Sequence, residues 1–303
     1  MQKKELEQVI KKIKKLLNKL NYLVIKLLQF IILLIYPHKC PSCKRIVNSE
    51  GFCNSCWKKL IFIEKPYCTV CGKPLDITTS MGLVCGSCIR KKYYFDRTFC
   101  VFAYNDTIAR AIFEFKFYRK TFLSKFFTKL LANKIKDCRE NIDFITCVPM
   151  HIKRLRQRGY NQSLLLVKDL SDMINVPYIP DLLIKIKHTK AQVQLNHKHR
   201  KTNLKSAFEL NNKYVNVVKG KNILVVDDVF TTGSTVNECA KALKQQGDVA
   251  RVFVLTLARA LRSEQNILKP VVVQSLIDWL LFCFILKNIF ICMYLDNYCF
   301  IVY

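Results

Sequence analysis

The sequence predicts an α/β fold, a parallel sheet flanked by helices, preceded by a small cysteine-rich zinc-binding lobe. Short apolar runs rich in β-branched residues predict the sheet, because such runs are typical of strands buried on both faces. They occur at 99–104, 143–150, 223–226 and 250–259. Four Cys-x-x-Cys pairs before the first run predict the lobe. We therefore expect four segments: an N-terminal helix at 1–36, the cysteine module at 37–92, the α/β domain at 93–262 and an apolar extension at 263–303.

The chain is strongly basic. Its formal net charge is +28, because 50 Lys and Arg residues face 22 Asp and Glu residues. Such an excess favours an anionic partner, either nucleic acid, a phosphorylated substrate or an acidic membrane surface, and charge alone does not choose among them. A Lys-rich genome would raise the count without any functional reason.

The N-terminal segment is Lys-rich and then apolar. Apolar positions recur at intervals of three and four, which predicts an amphipathic helix: Leu16, Leu20, Leu23, Leu27, Phe30 and Leu34. A signal peptide would need a small-x-small cleavage site, and the run leads directly into Pro37 instead. We expect a helix docked on the protein, with contact to a membrane surface as the alternative.

The cysteine pairs are spaced as zinc ligands. Two Cys-x-x-Cys turns supply four thiolates, which complete one tetrahedral structural Zn²⁺ site. The candidate ligands are Cys40, Cys43, Cys53, Cys56, Cys68, Cys71, Cys85 and Cys88. Such pairing argues for metal in a reducing cytoplasm rather than for disulfides or a redox motif, which would not need four copies. Spacing leaves open which pairs share a metal ion, and how many ions are bound.

Two basic helices are expected at 107–117 and 121–136. Aromatic residues alternate with Lys and Arg there, which is typical of single-stranded nucleic-acid binding. The same texture describes helices with an aromatic core face and a solvated charged face.

The strand at 143–150 leads into a cationic segment, 151–162, which we expect to be a loop. Arg154, Arg156 and Arg158 would lie where parallel strands end, which is where α/β sheets bind ligands. Because a guanidinium pairs bidentately with phosphate oxygens, this loop is a candidate pyrophosphate site. A solvated basic turn is the alternative.

A second basic segment, 188–206, contains no acidic residue. It is either a mobile lid over the site or a nucleic-acid contact. Its candidate residues are Lys190, Lys198, Arg200, Lys201 and Lys205.

The stretch after the 223–226 strand carries the clearest chemistry. Asp227 and Asp228 follow the strand at once, and a hydroxyl-rich turn with Gly233 then opens a helix that ends near Gly247. Free N–H groups at a helix start suit a phosphate. Carboxylates repel phosphate but accept hydrogen bonds from ribose hydroxyls. Thr235 and Glu238 have capping-box spacing. Together these parts predict a ribose 5-phosphate site.

The same stretch resembles the phosphoribosyl pyrophosphate (PRPP) signature of type I phosphoribosyltransferases. The resemblance implies that the acidic pair contacts the ribose, that the loop holds the 5-phosphate, and that Mg²⁺ accompanies PRPP. The implied PRPP-binding residues are Asp227, Asp228, Val229, Phe230, Thr231, Thr232, Gly233, Ser234 and Thr235, with both aspartates as the catalytic candidates.

Further motifs resemble the competence-protein F (ComF) family. Val148-Pro149 precedes Arg158-Gly-Tyr-Asn-Gln162, where the family pattern has Phe at the position of Tyr160. The blocks at 189–192 and 200–208 and the four cysteine pairs also match, over roughly 27–262. Ala191 departs from the usual Pro.

The ComF resemblance implies a type I phosphoribosyltransferase fold behind a zinc lobe. It also implies a part in natural transformation, with single-stranded DNA handled in the cytoplasm at the inner face of the membrane. Two alternatives remain: a working phosphoribosyltransferase of nucleotide metabolism, similar to an amidophosphoribosyltransferase, and a non-catalytic PRPP-sensing scaffold for a helicase partner. The motifs do not specify the acceptor substrate.

The C-terminal extension is strongly apolar from 271 onward. Lys287 and Asn288 interrupt the run, so it falls short of the roughly 20 uninterrupted residues of a membrane-spanning helix. A membrane tail and an idiosyncratic extension are the two interpretations.

Overall fold

The computed structural model describes residues 14, 16–28, 31, 37–75, 83–118, 121–138, 141–186 and 207–261. The predicted lid or nucleic-acid segment at 188–206 and the apolar extension at 263–303 lie outside these residues. The described chain forms two compact units, 1–58 and 59–303. The second cysteine set therefore shares a unit with the sheet, and the four-segment division stays a prediction.

Within its described residues, the first unit contains two helical stretches. Residues 16–28 are helical, as the sequence predicts, and form helix α1. The apolar side chains of Leu16, Leu20 and Leu23 are each more than half exposed, and docking of the N-terminal segment on the protein stays a prediction. Helix α2 (Asn54–Trp57) begins directly after Cys53 and contains Cys56, the fourth cysteine of the first set. Among the described helices, none has the length and apolar character needed to cross a bilayer.

The second unit begins with an edge strand of the sheet, continues through the second cysteine set and then returns to the sheet. Its elements in chain order are β1 (Ile61–Phe62), α3 (Gly86–Arg90), β2 (Arg97–Ala103), α4 (Asp106–Phe117), α5 (Leu123–Ile135), β3 (Phe144–Cys147), α6 (Ile152–Arg158), α7 (Gln162–Ile174), β4 (Leu183–Lys185), β5 (Phe208–Leu210), a 3₁₀ turn (Asn212–Tyr214), α8 (Val215–Val218), β6 (Asn222–Phe230), α9 (Ser234–Gly247) and β7 (Arg251–Arg259).

The sheet has five strands in the order β1-β2-β7-β6-β3. Strand β1 is antiparallel to β2, and the other three pairings are parallel. Strands β4 and β5 form a separate antiparallel pair. The mostly parallel sheet confirms the α/β fold that the apolar runs predicted.

Helices cover both faces of the sheet. Ile223 and Val225 of β6 share a buried cluster with Ala240 and Leu243 of α9. Successive side chains of a strand point to opposite faces, and Leu224 and Val226 are also fully buried. Their face is the one against which α5 and α7 pack. Burial on both faces explains why β6 is a continuous apolar run rather than an alternating one.

One prediction about local structure is wrong. The cationic segment at 151–162 is not a loop, because α6 occupies most of it. The carbonyl of His151 accepts hydrogen bonds from the N–H groups of Arg154 and Leu155, which starts the helix. Leu and Arg are strong helix formers, and Gly159, at φ +81°, ends it.

Candidate functional site

The acidic pair lies at the carboxyl end of the parallel sheet. Strand β3 makes its last pairing with β6 between Cys147 and Val226, immediately before Asp227. On the other side, Asp227 still pairs with Thr256 of β7. Both carboxylates therefore stand at the edge where α/β sheets bind ligands.

Asp227 is held in a half-buried position among hydrogen-bond donors. Its Oδ1 accepts from the Ser163 hydroxyl at 3.2 Å and from the Asp228 N–H at 2.9 Å. Burial and the neighbouring Asp228 carboxylate nevertheless raise the pKa of Asp227 to about 7, against the opposing effect of Lys116 and these hydrogen bonds. The carboxyl group thus changes its charge near neutral pH.

Asp228 is paired with a lysine from a distant part of the chain. The Lys116 Nζ lies 2.8 Å from Asp228 Oδ2, and the two side chains are only 23% and 14% exposed. The sequence analysis missed Lys116. The only signal for it was a basic residue in the last turn of α4. In this structure Lys116 offsets part of the negative charge of the acidic pair.

The hydroxyl-rich turn is shaped by Gly233. This residue has φ +73°, and a Cβ placed on it would lie 2.4 Å from Cζ of Phe230, so the ring packs directly on its backbone. The hydroxyls of Thr232 and Ser234 lie 2.8 Å apart. Only glycine fits both the left-handed conformation and the close contact.

Helix α9 begins at Ser234, directly after the turn, and runs for 14 residues. The predicted capping box of Thr235 and Glu238 is wrong, because the N-cap residue is Gly233, which has no side chain to cap the helix. A capping side chain would occupy the first-turn N–H groups. The Ser234 N–H donates to Thr232 Oγ1 at 3.3 Å, and the glycine N-cap supplies no side chain for the other first-turn N–H groups, which suits an anion.

The three predicted arginines have different surroundings on α6. Arg156 is exposed and Arg154 is half-buried. The guanidinium of Arg158 lies 4.6 Å from the centre of the Phe117 ring and donates to Gln162 Oε1 at 3.3 Å. Burial lowers the pKa of Arg158, and the nearby Asp228 raises it. Arg158 is therefore near the acidic pair but already engaged in packing.

The motif from Arg158 to Gln162 anchors the end of α4. The Tyr160 hydroxyl donates to the carbonyl of Phe115, and Gln162 Nε2 donates to the carbonyl of Lys116 at 3.0 Å. Asn161 caps α7 by accepting from the Ser163 N–H at 3.1 Å, and it also donates to the Val148 carbonyl. The motif thus fixes the turn that carries Lys116, a role that the sequence analysis did not foresee.

A second basic residue near the pair was also missed. Lys185 lies on β4, with its Nζ 5.2 Å from the centre of the Phe208 ring. Burial and repulsion from Arg154 lower the pKa of Lys185, while Asp227 raises it. Lys185 is therefore a cation near Asp227, and Arg154 lies near Lys185 in turn. Nothing in the short 180–187 run distinguished Lys185 in the sequence.

The eight predicted zinc ligands form two clusters, with the first pair joined to the second and the third joined to the fourth. Within each cluster the four sulfur atoms lie within 4.8 Å of one another. A tetrahedral ion with Zn–S bonds of about 2.3 Å needs sulfur atoms about 3.8 Å apart, so both clusters fit zinc. This grouping resolves the pairing that spacing left open.

The two clusters share one turn geometry. The residue after each leading Cys-x-x-Cys has positive φ, +66° at Lys44 and +69° at Gly72. In both turns its N–H donates to the first cysteine carbonyl, Cys40 or Cys68, at 2.9 and 2.7 Å. A Cβ on Gly72 would lie 2.9 Å from Cys100 Sγ, so glycine is required where this turn meets β2.

Comparison with known families agrees with both parts of the chain. Residues 31–100 match the double zinc ribbon domain, and residues 125–286 match the phosphoribosyl transferase domain. The cysteine clusters are therefore structural zinc sites, and the sheet is that of a phosphoribosyltransferase.

Curated relatives match about three quarters of the chain. Competence protein F of Haemophilus influenzae is 31% identical over 74% of this chain and 98% of its own length. The DNA utilization protein YhgH of Escherichia coli K12 is 32% identical over 76% of this chain and 100% of its own length. Competence protein ComFC of Bacillus subtilis is 28% identical over 70% of this chain and 85% of its own length. The chain belongs to the competence-protein F family.

Proposed function

We propose that this protein binds PRPP together with Mg²⁺ at the carboxyl end of β6. One observation carries the proposal: an acidic pair and a glycine turn follow each other on one strand and lead directly into a 14-residue helix. The helix start provides N–H groups and the positive end of the dipole for a phosphate. The carboxylates precede the turn on the same strand, where they would meet the ribose.

The surrounding residues supply complementary charge. The turn from Thr231 to Thr235 would hold the 5-phosphate, and Asp227 and Asp228 would accept hydrogen bonds from the ribose hydroxyls. Arg158 and Lys185 lie near the pair, Arg154 lies near both of these cations, and all three would face the pyrophosphate. The more exposed Arg156 would serve as an outer contact for the same group.

The acidic pair also fits Mg²⁺. This ion takes oxygen ligands, commonly one or two carboxylates together with substrate phosphates. When bound, it would neutralise charge on the leaving pyrophosphate. The Lys116 ammonium group is ion-paired with Asp228 at 2.8 Å. It would have to release this carboxylate when Mg²⁺ binds, and it would then lie beside the pyrophosphate.

We also propose that the protein acts in natural transformation by handling single-stranded DNA. Two relatives are named for competence and one for DNA utilization, and the net charge of +28 suits a polyanion. Three exposed aromatic side chains near α4 offer faces on which bases stack. We call them the aromatic patch: Phe117, Tyr118 and Phe122. A helicase-type partner and a place at the inner membrane face belong to this proposal.

Calorimetry with PRPP and Mg²⁺ tests the site. We expect the wild type to bind and the double variant Asp227→Asn/Asp228→Asn to lose binding. Asp248→Asn is the matched control, because Asp248 is exposed and its left-handed backbone also suits Asn. A wild type that does not bind, or a control that loses binding equally, would refute the site.

A second readout separates catalysis from sensing. Pyrophosphate release from bound PRPP, measured with candidate nitrogen acceptors, would identify a working transferase. Binding without release would identify the PRPP-sensing scaffold. Repeating both measurements with single-stranded DNA present would reveal whether the two ligands affect each other, which linkage requires to be reciprocal.

A further inference from the structure

The second zinc cluster is packed into the same core as the candidate phosphate turn. Cys68, Cys71, Cys85 and Cys88 belong to one buried cluster that also includes Phe230, before the turn, and Val236, after it. All six residues lie in the second compact unit. A zinc site that folded its lobe independently would not need this shared core.

Arg259, at the end of β7, contacts both structures. Its Nη2 donates to Cys71 Sγ at 3.4 Å, and its guanidinium carbon lies 4.6 Å from the centre of the Phe230 ring. Its Nε and Nη1 are buried and have no hydrogen-bond partner among the described residues. The thiolate and the ring are therefore the favourable contacts that hold this buried cation in place.

Charge explains why a cation belongs there. Four thiolates around Zn²⁺ carry a net charge of about −2, and an arginine that donates to one of them offsets this charge at short range. Donors around the metal ligands also fix the orientation of the ligands. The planar guanidinium can do this while stacking on an aromatic face, which a lysine cannot.

The Phe230 ring contacts both Arg259 and the turn. It occupies the space that a Cβ of Gly233 would need, with Cζ only 2.4 Å from that point. A second connection runs beside the first. The ring of Phe95 meets Phe230 edge-on at 5.9 Å, and the Tyr94 N–H donates to Asn237 Oδ1 of α9 at 2.8 Å.

We propose that Arg259 is a positioning residue that couples zinc at the second cluster to the order of the phosphate turn. With zinc bound, Arg259 stays between Cys71 and Phe230, and the Phe230 ring supports Gly233. Loss of this zinc releases the arginine and loosens the turn. The functional consequence rests on the proposed PRPP site, but the coupling itself does not.

Three variants test the coupling in the full-length zinc-loaded protein. Arg259→Met keeps the length of the side chain but removes charge and donors. Arg259→Lys keeps the charge but removes the planar stack. Arg251→Met is the matched control, since Arg251 is exposed at the other end of the same strand. Zinc content and affinity are measured by chelator competition, and amide hydrogen exchange is followed at 230–237.

For Arg259→Met we expect zinc affinity at one site to fall by about tenfold or more, and exchange at 230–237 to become faster. The zinc affinity and the exchange rate of Arg259→Lys should lie between those of this variant and the wild type. Both quantities in Arg251→Met should match the wild type. If Arg259→Met weakens zinc binding without changing exchange at the turn, or changes neither, the coupling is refuted.

Phe230→Leu tests the contact between the ring and the turn separately from the contact between Arg259 and Cys71. It leaves the contact between Arg259 and Cys71 but removes the ring beneath Gly233, so exchange should rise while both zinc ions are retained. An unchanged turn in this variant would also refute the proposal, even if Arg259→Met fails to fold. PRPP affinity is measured in parallel: a wild type without PRPP binding refutes the proposed function, whereas the exchange data still decide the coupling.

Discussion

At the scale of single residues, Asp227 should make ligand affinity at the site depend on pH. Burial and Asp228 raise its pKa to about 7, so the carboxylate is mostly protonated at pH 6 and mostly ionised at pH 8. A Mg²⁺-bound ligand requires the ionised form. We expect PRPP affinity, measured by calorimetry, to rise about tenfold between pH 6 and pH 8.

Asp227→Asn is the control for this pH dependence. It should bind weakly at every pH and keep only the dependence that comes from phosphate groups, which titrate near pH 6. A wild-type affinity that is flat across this range would contradict a role for Asp227 in holding the ligand.

The same carboxyl group should lower the stability of the ligand-free protein in that pH range. Its folded-state pKa is higher than its unfolded-state pKa, so the stabilisation present below about pH 4 is lost as pH rises through 7. Because the side chain keeps some contact with solvent, we expect a loss of about 1–2 kcal/mol. Urea unfolding at pH 6 and pH 8 measures it, and Asp227→Asn should not show this loss.

Gly233 and Gly220 separate backbone strain from steric overlap. Both have positive φ, +73° and +67°, but only at Gly233 would a Cβ meet another atom within 4 Å. We expect Gly220→Ala to cost about 1 kcal/mol from strain alone, and Gly233→Ala about 2–4 kcal/mol because Phe230 must also move. Equal losses of unfolding free energy in the two variants, measured by heat or urea, would show that the Phe230 ring moves aside without an energetic cost.

At the scale of elements, Tyr160 connects the start of α7 to the end of α4. The ComF pattern has Phe at this position, and here the added hydroxyl donates to the carbonyl of Phe115. We expect Tyr160→Phe to lower the free energy of unfolding by about 1 kcal/mol. PRPP affinity should change little, because Gln162 still holds the carbonyl of Lys116.

Tyr214→Phe is the matched control for Tyr160. The Tyr214 hydroxyl donates to Asp181 at 2.8 Å in an exposed position, where water can replace the lost bond. Loss of the Tyr214 hydroxyl should therefore lower the free energy of unfolding less than loss of the Tyr160 hydroxyl. The reverse order of urea midpoints would contradict the structural role assigned to Tyr160.

The elements that the sequence predicted correctly are those with local signals. The apolar run before Asp227 is β6, and each set of Cys-x-x-Cys pairs forms a compact cluster, because strand burial and turn geometry act over a few residues. The missed features join distant parts of the chain. Lys116 reaches Asp228 across 112 residues, and no local pattern records such a contact.

The two errors have different origins. The expected loop at 151–162 is helix α6, because Leu155 and its neighbours have high helix propensity, which is a local signal. The capping box was predicted from spacing, but the N-cap position at Gly233 was decided by packing against Phe230. Tertiary packing overrides a capping preference worth about 1 kcal/mol.

At the scale of the whole molecule, the net charge of +28 predicts how DNA binding responds to salt. Each phosphate neutralised by Lys or Arg releases counterions, so the logarithm of the affinity for single strands falls with the logarithm of salt concentration by about 0.7 per contact. We expect steep salt dependence for a short single strand, measured by fluorescence anisotropy at several salt concentrations.

Two variants separate charge from stacking. Arg156 is exposed on α6, and Arg156→Gln should reduce the salt slope by about 0.7 if this residue contacts a phosphate. Phe122 is 37% exposed in the aromatic patch, and Phe122→Ala should weaken binding by about 1–3 kcal/mol without changing the slope, because stacking on a base displaces no counterion. A slope that stays shallow in the wild type would mean that few phosphates are contacted. The basic composition would then have to be explained without DNA, and the PRPP site alone would carry the function.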